Sequence, residues 1–319
     1  MTTPRYRRQL PPLDGRPMLS DSGLETSLIY HEGIDLPDFA AYVLLRSERG
    51  REALRRYYRR HVELALEHGV GFVLETPTWR ASRDWGERLG HDAAALAAFN
   101  RDAVAMMAEW RDRHDAPRTP FVISGNVGPR GDGYDPATLM APAEAESYHA
   151  EQIRTFAEAG VDVVTAVTMT HTGEAIGVVR AARARAVPVV IAFTVETDGC
   201  LPTGQALGDA IAEVDAETEA GSAYFMINCA HPDHFRDTVA AGGDWQARIV
   251  GLRANASRKS HAELDSSTDL DDGDPAELGE DYASLRERLP NLAVFGGCCG
   301  TDHRHIAAIA DRCVVHDAA

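Results

Sequence analysis

Apolar residues recur along this chain in two alternating kinds of run. Short β-branched runs, such as Val161-Asp-Val-Val-Thr-Ala166 and Pro188-Val-Val-Ile-Ala-Phe193, are too brief for helices and predict buried strands. Longer stretches between them carry apolar residues at helical spacing. The pattern predicts strands over residues 17–20, 71–75, 120–124, 161–166, 187–193, 223–228, 248–252 and 292–295. Helices are predicted over 50–68, 92–114, 142–159, 173–186, 204–220, 232–241, 275–289 and 302–312. Helix starts are marked by Pro232 and by the capping residue Asp302, and two helix ends by Gly69 and Gly160.

Eight strand–helix cycles predict an α/β protein built as a single (β/α)₈ TIM barrel, one domain over 1–319 with its core over about 17–312. The rival architecture, an open doubly wound sheet, lacks its Gly-x-Gly-x-x-Gly phosphate loop after the first strand. Two connections are long for a compact barrel. Residues 20–49 carry Asp21-Ser-Gly-Leu-Glu-Thr26, and residues 253–274 are rich in Asn, Ser and Asp. The first is expected to serve a substrate; for the second, function and simple mobility weigh equally.

Composition narrows the function classes. With 32 Lys and Arg against 49 Asp and Glu, the formal charge is −17. Such a chain repels nucleic acid and anionic membranes, and mildly favours a cationic small molecule. The acidic run over 265–281 reads as a solvated loop. The helix around Arg51 to Arg60 reads as an amphipathic barrel helix with a charged outer face. No apolar run is long enough to span a membrane, and the basic N-terminus lacks the apolar core of a secretory signal. A cytoplasmic location is expected. Nothing in the pattern selects between a monomer and a homo-oligomer.

The chemistry concentrates in cysteines. The chain has five, an odd number that suits a reducing compartment better than a disulfide framework. Cys229 closes strand six. Cys298 and Cys299 follow strand eight inside Phe295-Gly-Gly-Cys-Cys-Gly-Thr301. Strand ends at the C-terminal face are where such barrels place their chemistry. Neighbouring residues in a strand point to opposite faces, so both cysteines can serve one site only if the chain turns there, and the flanking glycines permit a turn. Three thiolates with an open fourth position would suit a catalytic zinc. Inert core cysteines and a redox dithiol at Cys298 and Cys299 are the alternatives. Cys200 and Cys313 read as free thiols.

These motifs resemble those of the homocysteine S-methyltransferase family. The strongest parts are Ile227-Asn-Cys229 and Gly296-Gly-Cys-Cys-Gly-Thr301. Asp21-Ser-Gly-Leu-Glu-Thr26, Glu75-Thr-Pro-Thr-Trp-Arg-Ala-Ser82, Gly125-Asn-Val-Gly-Pro-Arg130 and Asp198-Gly-Cys-Leu-Pro-Thr-Gly204 support them. The resemblance implies a zinc-dependent (β/α)₈ barrel with Cys229, Cys298 and Cys299 as ligands. It implies transfer of a methyl group from a small donor, S-methylmethionine or S-adenosylmethionine, to the thiol of L-homocysteine, giving methionine. A different thiol acceptor, or thiol and zinc binding without catalysis, is the alternative. One departure bears on the acceptor: Val167 stands where the family often carries a glutamate for the substrate ammonium. Asp21, Glu25 and Glu75 are candidates to compensate. Glu25 and Glu75 are also candidates for attracting a cationic donor, and Trp79 for offering it a π face. Asn228 is expected to orient the Cys229 loop, and Asn255 to bond the substrate. His171, His231 and His234 read as solvated or supporting histidines.

Overall fold

The computed structural model describes residues 2–134, 139–267 and 269–314. Eight parallel strands close on themselves in sequence order. They are β1 (Met18–Ser20), β2 (Gly71–Glu75), β3 (Phe121–Val127), β4 (Val163–Met169), β5 (Val189–Phe193), β6 (Tyr224–Asn228), β7 (Ile249–Ala254) and β8 (Val294–Gly297). The eight barrel helices are α1 (Glu48–Glu67), α2 (Ala93–His114), α3 (Pro142–Ala159), α4 (Thr172–Arg183), α5 (Leu207–Thr218), α6 (Pro232–Ala241), α7 (Pro275–Arg286) and α8 (His303–Cys313). The ring closes where Met18 and Leu19 pair with Val294 and Phe295. Each expected strand and helix is present, and the architecture is a (β/α)₈ barrel. The expected domain limits of 1–319 also take in residues 1, 135–138, 268 and 315–319, which lie outside the described residues.

Strand alternation sorts the core into two. Leu19, Phe72, Phe121, Val164, Val189, Phe225, Ile249 and Phe295 face the helices. Met18, Val73, Val122, Val163, Val190, Tyr224, Val250 and Val294, one per strand, pack together inside the ring. Leu10 joins this inner cluster from the N-terminal segment. Further along the strands the interior turns polar, with Ser20, Glu75, Ser124, Thr165 and Arg253 all buried. Apolar packing thus fills one end of the barrel and leaves the other for chemistry.

The strands β3, β4, β7 and β8 run on by two or three residues beyond their predicted ends. These extensions mix polar residues and glycine with apolar ones, and that of β4 is bulged. The β4–β5 register shifts between Ala166 and Met169, and Thr168 takes a left-handed conformation with φ 61°. Helix α1 buries Ala53, Leu54, Tyr57, Tyr58 and His61 and turns its arginines outward, as its amphipathic pattern predicts. Among the described residues no helix is long and apolar enough to cross a membrane.

Candidate active site

At the C-terminal end of the barrel the thiols of Cys229, Cys298 and Cys299 converge, all within 4.8 Å of one another. Cys229 Sγ and Cys299 Sγ are 3.5 Å apart. Two local devices bring this about. Cys298 to Thr301 form a four-residue turn, in which the Thr301 amide donates to the Cys298 carbonyl at 3.1 Å. Gly300 occupies its third position at φ 81°, a conformation that costs a residue with a Cβ about 1 kcal/mol or more. The turn lets adjacent cysteines serve one point. Cys229 itself sits at φ 56°, a strained value for a non-glycine residue. Its amide donates to the Arg253 carbonyl at 3.0 Å, which ties the strained residue to β7.

The donor set fits a zinc ion. Tetrahedral Zn–S bonds of about 2.3 Å place sulfurs roughly 3.8 Å apart, close to the separation already present. Crowding three thiols has a protonation consequence. The Cys229 and Cys298 thiols bond to Cys299 and hold it well below the usual thiol range, with help from Tyr134. Cys229 is pushed well up, through its bonds to Cys298 and Cys299 and through burial. A cation arriving at the trio would displace the remaining protons.

Tyr134 completes the cluster. Its hydroxyl lies 3.2 Å from Cys229 Sγ and 3.3 Å from Cys299 Sγ. Its ring stacks on His261 at 4.1 Å between centroids. His261 in turn bonds the Cys229 carbonyl at 2.8 Å and Glu196 at 2.9 Å. The phenol therefore stands on the face of the trio that opens to the cleft. Sequence reading did not foresee Tyr134, because Gly131-Asp-Gly-Tyr134 reads as an ordinary turn after strand three.

Above the thiols lies a cleft of about 260 Å³. Its walls carry Asp21, Glu25, Glu75, Asp132, Asp265, Asp269 and Asp271, seven carboxyls against the two guanidiniums of Arg80 and Arg253. That imbalance favours a cationic occupant. Tyr30 and Phe39 stand exposed at the rim. The acidic run after β7, expected as a solvated loop, keeps Asp265 and Asp269 exposed, and its first part also borders the cleft. Leu264, Asp265, Ser267, Asp269, Leu270 and Asp271 form part of the cleft wall.

The candidate substrate residues take different places. Asp21 lines the cleft, but both its oxygens are engaged: Arg253 donates to Oδ1 at 2.7 Å and Tyr57 to Oδ2 at 3.1 Å. Arg253 is an arginine inside an otherwise apolar strand, and that anomaly was its signal in the sequence. Glu25 reaches the cleft partly buried, and burial pushes its carboxyl up to about 7. Glu75 is buried, also pushed up to about 7 by burial, and its Oε2 has no partner. Trp79 lines the cleft with Nε1 unpaired, while the Arg80 guanidinium covers its ring at 4.5 Å. Arg80 also lies 3.4 Å from the centroid of Trp85. Asn228 clamps the strained end of β4, accepting from the Thr168 amide at 2.8 Å and donating to its hydroxyl at 2.9 Å. Asn255 is not among the cleft-lining residues; its amide bonds the Ala230 carbonyl at 3.0 Å.

The three histidines are buried rather than solvated. His171 accepts from the Met140 amide at 3.1 Å, His231 caps α6 through the Asp233 amide at 3.1 Å, and His234 bonds the Arg258 carbonyl at 3.0 Å. Cys200 and Cys313 are free thiols away from the trio.

A family profile described as homocysteine S-methyltransferase matches residues 18–313. The chain belongs to the homocysteine S-methyltransferase family. Within this family, betaine–homocysteine S-methyltransferase 1 of Rattus norvegicus is 25% identical over 283 residues, covering 82% of this chain and 64% of that protein. The chain thus spans just under two thirds of that relative's length. In fold, the chain is similar to the homocysteine methyltransferase MmuM of Escherichia coli. The oxidized form aligns with a TM-score of 0.73 at 17% identity, over 93% of this chain and 96% of that one. The metallated form aligns with a TM-score of 0.70 at 18% identity, over 94% and 98%. The matched span takes in the three cysteines, the β1 loop and Val167.

Proposed function

We propose that this chain is a zinc-dependent S-methyltransferase that moves a methyl group from a small onium donor to the thiol of L-homocysteine, giving methionine. The observation that carries the reading is the convergence of three thiols under an acidic cleft, with one side of the trio facing that cleft. Cys229, Cys298 and Cys299 would hold the zinc. Bound there, zinc supplies the Lewis acidity that keeps an acceptor thiol deprotonated at neutral pH.

The chain's own residues do the rest. Tyr134 withdraws its hydroxyl from the trio to admit the acceptor. Asn228 and His261 fix the loops that carry the thiols. Glu25 and the acids after β7 gather the positively charged donor, and Trp79 walls it in. The acceptor sulfur attacks the methyl carbon in line; the new S–C bond forms as the donor's bond to that carbon breaks. The electron pair leaves with the donor heteroatom, which becomes neutral. Positioning of the two reactants over one floor supplies the rate advantage of proximity. S-methylmethionine and S-adenosylmethionine are the donors best matched to an acidic cleft.

The test is methionine formed by reduced, zinc-loaded protein from L-homocysteine and each donor, with Cys299→Ser alongside. The reading expects cysteine-dependent methionine and a loss of at least a hundredfold in the variant. Methylation of other thiols with homocysteine left untouched would favour a different acceptor, which the apolar Val167 on the cleft wall makes the second reading. Thiol binding with no product from any donor would leave a binding protein.

A further inference from the structure

We infer that Glu75 is the seat for the ammonium group of the acceptor, and that the acceptor is therefore an α-amino thiol. The inference rests on the thiol-methylation reading above and adds the group that selects the acceptor. An ammonium brought from water to the floor of a cleft needs a charged or strongly accepting partner there. Several residues of the cleft wall offer none: Asn126, Val167, Thr168 and Asn228 are neutral. Asp21 is the obvious carboxylate, but Arg253 and Tyr57 occupy both its oxygens. Glu25 stands partly exposed on the β1 loop.

Glu75 differs on each count. It is 3% exposed, it lines the cleft, and its Oε2 is buried without a partner. Natural structures rarely leave such an atom unmet, so this oxygen is an acceptor in want of a donor. The hydroxyls of Ser124 and Thr165, paired with each other at 2.7 Å, lie beside its carboxyl and favour its charged form. Thr165 lies two residues before Val167 on the inward face of β4, so β2 delivers a carboxyl to the same side of the barrel, one layer below the apolar residue. Arg253, the cation whose field reaches Glu75, directs its donors to Ser20, Asp21 and the Ser22 carbonyl. One acceptor oxygen of Glu75, a residue of the cleft lining, thus remains without a protein donor.

The test compares two thiols that differ only in the amino group, L-homocysteine and 4-sulfanylbutanoate. Their affinities for zinc-loaded protein are measured by calorimetry without any donor. Wild type should bind homocysteine at least tenfold more tightly than the desamino thiol. Glu75→Gln should weaken homocysteine at least tenfold and leave 4-sulfanylbutanoate within twofold, with zinc stoichiometry unchanged. Glu75→Met, of similar length, should show the same selective loss. A variant that keeps the wild-type preference overturns the inference. So does a variant that loses both thiols equally, because the carboxyl then supports the floor as a whole. Either result leaves the methyltransferase reading standing. Failure of wild type to bind any thiol overturns both.

Discussion

Glu75 shows how one buried side chain couples substrate choice to stability. Burial raises its carboxyl to about 7, above the ordinary carboxylate range. The folded state therefore holds this proton more tightly than the unfolded chain. Stability is lost as pH rises from the unfolded value through about 7. The full penalty above that window is on the order of 3 kcal/mol. Glu75→Gln carries no such charge. Urea unfolding of the metal-free proteins between pH 5 and 8 should show the variant gaining on wild type as pH rises, by up to that amount. A pH-independent difference between the two would contradict the assignment of a neutral, buried acid. At this scale the sequence was only partly legible. The cysteines announced themselves through spacing and flanking glycines. Asp21 looked like a free carboxylate because its partner, Arg253, lies 232 residues away. Tyr134 and Arg80 gave no periodic signal, since loop residues take their roles from what they meet in space.

Local elements decide whether these side chains can act together. The turn after β8 is the clearest case. Gly300 lies at φ 81°, and a Cβ there would come within 2.8 Å of the Asp271 carbonyl on the acidic loop. Gly300→Ala should force the turn to open, separating Cys298 from Cys299. Zinc occupancy measured after equilibrium dialysis should fall well below one per chain, while far-UV circular dichroism stays unchanged. Full occupancy would mean that the left-handed turn is dispensable. The strands and helices themselves were legible, because period-two and helical patterns report burial directly. Their ends were less so. The extensions of β3, β4 and β7 line the site, and residues chosen for chemistry do not follow the hydrophobic rhythm. The loop after β7 was legible in part: its Asp and Ser run reads as solvated, as Asp265 and Asp269 are, but not as a border of the cleft.

The whole molecule separates support from chemistry along the barrel axis. Apolar side chains from all eight strands fill one end, and the other carries buried polar groups, three thiols and a cleft with seven carboxyls. Closure in sequence order brings β8 back beside β1. That return sets Cys298 next to the β1 loop and lets Gly300 donate to Thr26 at 3.0 Å. The cleft thus joins both ends of the chain to the strand ends between them. Three cysteines would offer zinc a place for a fourth, substrate sulfur. Zinc-edge X-ray absorption of the loaded protein, with and without L-homocysteine, counts those sulfurs directly. Three sulfur neighbours at about 2.3 Å should rise to four when homocysteine is added. A count that stays at three, or starts below three, would contradict this expectation.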